Sequence, residues 1–164
     1  METIKDFFTL ETIYLVANYG VIPLWLMLIF FPNSKFTNII INTFVLPTIL
    51  AFTYAYLIYQ EFYAGGMFST GAATKAIASF KLYSGLDQLG SLLANKTFLL
   101  TFWIHFLTIN IFTGTWIAKD ALRNGIHKYV VLLPLVLTYF AGPLGLFLHL
   151  FLRLIIIQRV RMHD

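Results

Sequence analysis

Four long apolar blocks constrain the fold of this chain more than any other feature. They lie at about Thr12–Phe31, Thr37–Gln60, Phe98–Ala118 and Tyr129–Leu152. Each is continuously apolar, and each is long enough to cross a hydrocarbon core of roughly 30 Å, which needs about 20 helical residues. In lipid only helices and closed barrels satisfy their own backbone groups, and four segments are too few for a barrel. The blocks therefore predict an all-α polytopic membrane protein with four transmembrane helices.

The composition agrees with a membrane protein and narrows its chemistry. Of the 164 residues 59% are hydrophobic and 11% are charged, and the mean hydropathy is +0.80. The net charge of +4 is dispersed between the apolar blocks, which indicates a lipid bilayer as partner and no nucleic acid. The absence of cysteine excludes disulfides and thiolate nucleophiles. No repeat is evident, so residues 1–164 are predicted to form one membrane domain, a four-helix bundle.

The longest connection between blocks, Glu61–Thr97, contains apolar residues at approximate helical spacing. They are Ile77, Phe80, Leu86, Leu89 and Leu93. This spacing predicts an interfacial or re-entrant amphipathic helix in the 61–97 loop, broken by Gly85 and Gly90.

The distribution of basic residues gives an expected orientation. An even number of spans places both termini on one side of the membrane. That side collects more Lys and Arg than the other: Lys5, Lys75, Lys81, Lys96, Arg153, Arg159 and Arg161, against Lys35, Lys119, Arg123 and Lys128. The positive-inside rule then favours termini on the cytoplasmic or stromal side.

The third block, "TFWIHFLTINIFTGTW", carries two polar side chains within an apolar helix. At 100° per residue His105 shares a face with Thr101, Thr108 and Phe112, whereas Asn110 lies about 140° around the helix. We therefore expect an inner helix that contacts neighbours on most of its circumference. Each residue has two interpretations: a hydrogen bond that clasps a neighbouring helix, or part of a functional site within the membrane.

The fourth block contains "AGPLGLFLHLFLR", in which Gly142, Gly145, His149 and Arg153 fall on one stripe. The two glycines allow close approach of another helix or of an elongated ligand. Arg153, at the end of the block, is expected to be an interface anchor whose charged head reaches the membrane surface.

Several chemistries are excluded by residue type and spacing. The four histidines are not clustered as di-iron oxygenases require, and neither a G-x-S-x-G nucleophile motif nor a phosphate-binding glycine loop is present. No metal site and no cofactor are predicted. Acid–base chemistry on an apolar substrate remains open, because it needs only one donor and one acceptor beside the substrate. The candidates are His105, His149, Asp120 and Glu61, and Asp120 is expected in the short polar loop "WIAKDALRNGIHK".

Three stretches together resemble the abscisic-acid-deficient-four family of small polytopic membrane proteins. They are W-x-H-F-L-x-x-N-x-F-x-x-x-W from Trp103 to Trp116, then "AKDALRNGIHKY", then "GPLGLFLHLFLR". The N-terminal "ANYGVIPLWLMLIFFPNSKFT" is also similar to the family's first span. In plants the family is associated with forming neoxanthin from violaxanthin. At Asn110 the family usually has Asp, so this chain lacks a carboxylate five residues after His105.

The resemblance implies a redox-neutral isomerase that opens a carotenoid 5,6-epoxide to an allenic alcohol. It implies His105 as one participant and Asp120 or His149 as the other. An elongated site for a carotenoid or another polyisoprenoid would then be lined by Trp103, Phe106, Asn110, Trp116, Gly142 and Gly145. The chain would catalyse this reaction or bind the ligand for another membrane enzyme. The alternative is a non-catalytic four-helix adaptor or scaffold in which the polar residues only clasp helices.

Overall fold

A computed structural model describes residues 9–41, 45–63 and 85–158, without the side chains of 45–47 and 60–63. These residues form seven α-helices and no strand, which confirms the all-α prediction. The helices are α1 (Leu10–Phe30), α2 (Lys35–Ile40), α3 (Val45–Tyr63), α4 (Leu86–Leu93), α5 (Lys96–Arg123), α6 (Lys128–Ala141) and α7 (Pro143–Ile157).

The first apolar block forms α1 and ends where the sequence predicts. The chain leaves the helix at the Pro32-Asn33-Ser34 turn, and Ser34 caps the next helix by accepting a hydrogen bond from the Thr37 backbone N–H at 3.1 Å. The Thr37 hydroxyl reaches back to the carbonyl oxygen of Phe31 at 2.6 Å. These two bonds satisfy polar groups at the junction and fix the start of α2.

The second and third blocks differ from their predicted extents. The block at Thr37–Gln60 is divided between α2 and α3. The third block forms α5, which continues through the expected polar loop to Arg123. In the described part of the chain α1 and α5 are the two helices long and apolar enough to cross a membrane, so four spans are not confirmed.

The fourth block is not one helix, so the predicted span Tyr129–Leu152 is wrong. The chain breaks at Gly142, which has φ +25° and ends α6, and α7 starts at Pro143. Proline has no N–H to donate into a preceding turn and suits the first helical position. The Gly142-Pro143 pair therefore ends one helix and begins another, where the sequence pattern predicted one continuous span.

Helices α6 and α7 fold back on each other as a hairpin. A Cβ atom at Gly145 would collide with the Thr138 backbone N and with the Pro134 carbonyl oxygen. Pro134 and Gly145 are eleven residues apart and would lie about 16 Å apart along one straight helix. Contact between them requires that α7 reverses direction at Gly142. The missing side chain at Gly145 lets the two helix backbones approach.

A short helix confirms part of the prediction for the 61–97 loop. Helix α4 has eight residues and buries Leu92, while Leu86 is exposed. Gly90 lies inside α4, so the predicted break at this glycine is wrong. Ile77 and Phe80 lie outside the described residues, and an interfacial or re-entrant position of the loop stays a prediction.

The chain divides into two compact units, residues 1–18 with 48–105 and residues 19–47 with 106–164. In the first unit Leu57, Leu100 and Ile104 form a core, against which Ile13, Ala17 and Tyr54 pack. Trp103 donates its indole N–H to the Asn18 side-chain oxygen at 3.1 Å. That a single membrane domain covers residues 1–164 stays a prediction.

The second unit is organised around the C-terminal half of α5. Trp25 of α1 packs on Gly114 of α5, where a Cβ atom would lie 2.5 Å from the Trp25 ring. The same indole meets the Tyr139 ring of α6 edge-on, with 5.6 Å between ring centroids. Gly114 therefore allows a large aromatic side chain to lie between three helices.

Candidate functional site at Asp120 and His149

Asp120 lies in the last turns of α5 and not in a polar loop, which corrects the expectation from the sequence. Its side chain is buried, with 6% of the residue exposed. The loop interpretation was wrong because Lys119, Arg123 and Asn124 make the segment polar, yet α5 continues to Arg123 and turns Asp120 inward. A buried carboxylate needs partners to offset the loss of hydration.

His149 of α7 provides the first of these partners. Its Nε2 lies 2.9 Å from Asp120 Oδ2, and both side chains are buried. Asn124 donates its side-chain N–H to the other carboxylate oxygen, Oδ1, at 3.1 Å. Both oxygens of Asp120 are thus engaged by side chains that are 29 and four residues away in the chain.

Arg153 is the second charged member of the cluster. Its Nε lies 3.1 Å from Asp120 Oδ2, and only 6% of the residue is exposed. The expected interface anchor that reaches the membrane surface is therefore wrong. Arg153 follows His149 by one helical turn and points to the same carboxylate. The arginine and aspartate charges cancel, which is the arrangement that allows ionised side chains at a buried position.

The arrangement defines what the His149 ring can do. A carboxylate beside a permanently charged guanidinium is an acceptor, so Nε2 of His149 carries the hydrogen that is donated to Asp120. In the neutral ring Nδ1 is then the acceptor nitrogen. No hydrogen bond to Nδ1 comes from the part of the chain that the structure describes. The Trp116 ring stands perpendicular to the imidazole at 5.8 Å between centroids and restricts its rotation.

Asn110 lies further back on α5, beside the break between α6 and α7. It is 4% exposed, and its amide covers Gly142, where a Cβ atom would collide with Oδ1. Its Nδ2 has no hydrogen-bond partner among the described residues. Gly142 and Gly145 are both buried, as their predicted close approach requires. Gly142 itself lies in the turn and not on the α7 face with Gly145, His149 and Arg153.

His105 is not brought into this cluster. It is exposed and lies in the first unit, where its ring is 5.8 Å from the Tyr54 ring centroid. Phe102, Ile109 and Phe112 are exposed along the same stripe of α5, while the other faces of the helix in this stretch are buried or half-buried. This agrees with the prediction that the helix contacts neighbours on most of its circumference. The different faces predicted for His105 and Asn110 are confirmed, because one is exposed and the other buried.

The remaining predicted lining residues are divided between the units. Trp103 is half-buried in the first unit through its bond to Asn18, whereas Phe106 and Trp116 are half-buried in the second. Two apolar pockets formed by described residues are lined by neither Asp120 nor His149. One of about 390 Å³ lies in the first unit. One of about 50 Å³ lies in the second unit beside Ala118 and Ala121.

The model of the ABA DEFICIENT 4-like family matches residues 12–149. The chain belongs to this family. The match covers α1 and α5 and extends to His149, so it includes the carboxylate and the imidazole of the cluster. No curated protein and no solved structure matches the ABA DEFICIENT 4-like chain.

Sequence reasoning missed two members of the cluster. Asn124 follows Asp120 by four residues, and Arg153 follows His149 by four residues. In each case the i, i+4 spacing on a helix places the second polar group beside the first. That spacing was the available signal for Asn124 and for the pairing role of Arg153.

Proposed function

We propose that this ABA DEFICIENT 4-like protein is a multi-pass membrane protein that binds a carotenoid or a related polyisoprenoid with an oxygenated end group, and isomerises it. The observation that carries the proposal is the 2.9 Å contact of His149 Nε2 with Asp120 Oδ2. A carboxylate that orients an imidazole through one nitrogen leaves the other nitrogen to act on a substrate. Membership of the family supports a carotenoid as the ligand.

The proposed reaction opens a 5,6-epoxide to an allenic alcohol. An acid protonates the epoxide oxygen as its bond to carbon breaks, and a base removes a proton from the adjacent polyene carbon. The electrons of that C–H bond form the allene, so one proton is gained and one is lost. The product has the same atoms and the same oxidation state as the substrate, and no redox partner is needed.

His149 suits the role of the base in this scheme. Its Nδ1 accepts the proton, while Asp120 stabilises the imidazolium that forms and Arg153 keeps the carboxylate in place. Asp120 and Arg153 are then positioning residues. The family resemblance implies His105 as a participant without assigning it the acid or the base role, and it lies in the first unit, outside this cluster. Asn110, whose Nδ2 has no hydrogen-bond partner among the described residues, is a second contact to a ligand oxygen in this scheme.

One observation favours a second candidate, the non-catalytic adaptor. His149 is only 1% exposed, and both oxygens of Asp120 are satisfied within the cluster. A closed polar cluster of this kind also stabilises helix packing with no ligand at all. The two candidates differ in whether His149 is needed for anything other than stability.

The first experiment measures ligand binding. The protein is purified from membranes of carotenoid-producing cells, and bound pigment is measured by visible absorbance per mole of protein. His149→Gln keeps an N–H donor for Asp120 but removes the imidazole. We expect this variant to lose bound pigment or product formation while its thermal unfolding stays close to wild type. His127→Gln, at an exposed position outside the cluster, is the matched control.

The second experiment measures the reaction. Membranes that contain the wild type, His149→Gln or His127→Gln are incubated with violaxanthin, and the products are analysed for an allenic alcohol. Product from the wild type and His127→Gln, but not from His149→Gln, supports the isomerase. If the protein binds pigment but none of the three membrane samples forms product, the protein binds the ligand without isomerising it. If the protein is colourless and inactive, and His149→Gln lowers only its unfolding temperature, the result supports the non-catalytic adaptor.

A further inference from the structure

We infer that the hairpin formed by α6 and α7 is a re-entrant segment, which enters one leaflet of the bilayer to about its middle and returns to the side where it began. The partner of its outer surface is the hydrocarbon of that leaflet. The inference rests on one part of the proposed function, that α5 spans the membrane, and on no ligand; it goes beyond that function because it assigns the path of α6 and α7.

Helix length is the first reason. Helix α6 has 14 residues and α7 has 15, which correspond to about 21 and 22 Å of helix. A hydrocarbon core of roughly 30 Å is too thick for either helix alone. Because the chain reverses at Gly142, the two lengths do not add. Neither helix therefore crosses the bilayer.

Contacts with α5 show how deep the hairpin reaches. At its base, Lys128 of α6 lines a pocket with Ala121 and Leu122 of α5. Further along, Tyr139 and Gly114 both contact Trp25. From Lys128 to Tyr139, successive parts of α6 therefore lie beside earlier and earlier residues of α5, from Leu122 back to Gly114.

Contacts of the hairpin tip and of α7 with α5 continue in the same order. At the tip Gly142 lies against Asn110, which is the fifteenth of the 28 residues of α5. On the way back His149 contacts Trp116 and Asp120, and Arg153 contacts Asp120. The hairpin therefore covers α5 from Asn110 to Asp120, an interval of ten helical steps or about 15 Å, which is half of a hydrocarbon core.

The side chains of the hairpin suit a segment that lies within one leaflet of the bilayer. Between Lys128 and Arg153 the sequence contains no Asp, Glu, Lys or Arg. The turn, which would be polar if it faced water, is flanked by the exposed apolar side chains of Phe140 and Leu144, at 71% and 53% exposure. The backbone at Gly142 is buried against Asn110. Non-helical backbone at membrane depth is tolerated where protein covers it in this way.

The first test is the sidedness of the two hairpin ends. The chain has no cysteine, so His127→Cys and Gln158→Cys each give a single thiol at an exposed position. Right-side-out and inverted membrane vesicles from the same cells are treated with a membrane-impermeant maleimide, with and without detergent. We expect both thiols to react in the same type of vesicle and to be protected in the other. Labelling of the two thiols from opposite sides would show a complete crossing and overturn the inference.

The second test is depth. Leu144→Cys near the tip and Ile156→Cys near the base are both about half exposed and carry a spin label outward. In lipid vesicles we expect the label at residue 144 to relax with dissolved oxygen and the label at residue 156 to relax more with a water-soluble nickel chelate. Equal depth at the two positions would mean that the hairpin lies flat on the membrane or outside it, and would also overturn the inference. Pigment binding affects neither readout, so failure of the proposed function is distinguishable from failure of the hairpin.

Discussion

His149 on α7 donates its Nε2 hydrogen to the Asp120 carboxylate on α5, over 2.9 Å, and Arg153 lies 3.1 Å from the same oxygen. The three side chains connect the end of the hairpin to the end of α5 in a buried, charge-neutral cluster. The cluster therefore has two separable consequences. It stabilises the packing of α7 on α5, and it fixes the orientation of the His149 imidazole, whose Nδ1 has no hydrogen-bond partner among the described residues.

Because the cluster stabilises helix packing, a single substitution at the Asp120–Arg153 ion pair should lower the free energy of unfolding much more than a double substitution that removes both charges. Asp120→Ala leaves the Arg153 charge buried without its carboxylate, and we expect a loss of about 3–5 kcal/mol in the free energy of unfolding. Asp120→Leu combined with Arg153→Met removes both charges and should recover most of that loss. Unfolding in detergent, followed by circular dichroism against denaturant, measures all three proteins. A cost below about 1 kcal/mol for Asp120→Ala would show that the cluster is open to water.

Close backbone packing in the hairpin predicts that Gly145 tolerates no side chain. In Gly145→Ala the new methyl group meets the Thr138 backbone and the Pro134 carbonyl oxygen, and neither can rotate away. We expect a loss of about 1–3 kcal/mol from overpacking, measured by the same unfolding experiment. Gly20→Ala in α1 is the control, because nothing lies within 4 Å of its Cβ position. It should be neutral or stabilising by up to about 1 kcal/mol. Equal effects of the two substitutions would contradict the hairpin contact.

Local sequence patterns were sufficient for some elements of the structure. Continuous apolar runs were sufficient for the helical class and for the end of α1 next to Phe31, because these depend on neighbouring residues alone. The 100° periodicity also separated the faces of His105 and Asn110 correctly. Each of these features is decided within about one or two helical turns.

Other features could not be predicted because distant residues decide them. Gly142-Pro143 is compatible with a kink or a reversal, and the contact of Gly145 with Pro134 shows that the chain reverses. The burial of Asp120 depends on partners 29 or more residues later, so its polar neighbours pointed wrongly to a loop. A stripe of apolar residues likewise did not reveal that one side of α5 near His105 is exposed.

The side-chain N–H of Asn110, which has no hydrogen-bond partner among the described residues, predicts that a substitution at this position stabilises the protein. Leucine is branched at the same carbon as asparagine, so Asn110→Leu keeps the contact with Gly142 and removes a buried donor that has no partner in the described structure. We expect the free energy of unfolding to rise by about 1–3 kcal/mol in the ligand-free protein. If Asn110 contacts a ligand oxygen, bound pigment should fall at the same time. Lower stability of the ligand-free variant would instead mean that an ordered water or a polar group outside the described residues already satisfies this N–H.

The bond between Trp103 and Asn18 predicts a measurable coupling between α5 and α1 within the first unit. Trp103→Phe removes the indole N–H that Asn18 accepts at 3.1 Å, and Asn18→Leu removes the acceptor. Hydrogen bonds between membrane helices average about 0.6 kcal/mol in such cycles and reach about 1.7. We expect a coupling free energy in this range from the double-mutant cycle, measured by unfolding in detergent. A cycle that closes without coupling would mean that the two side chains contribute through packing alone, since the Tyr14 ring also lies beside the indole, tilted by 40° and at 6.2 Å between ring centroids.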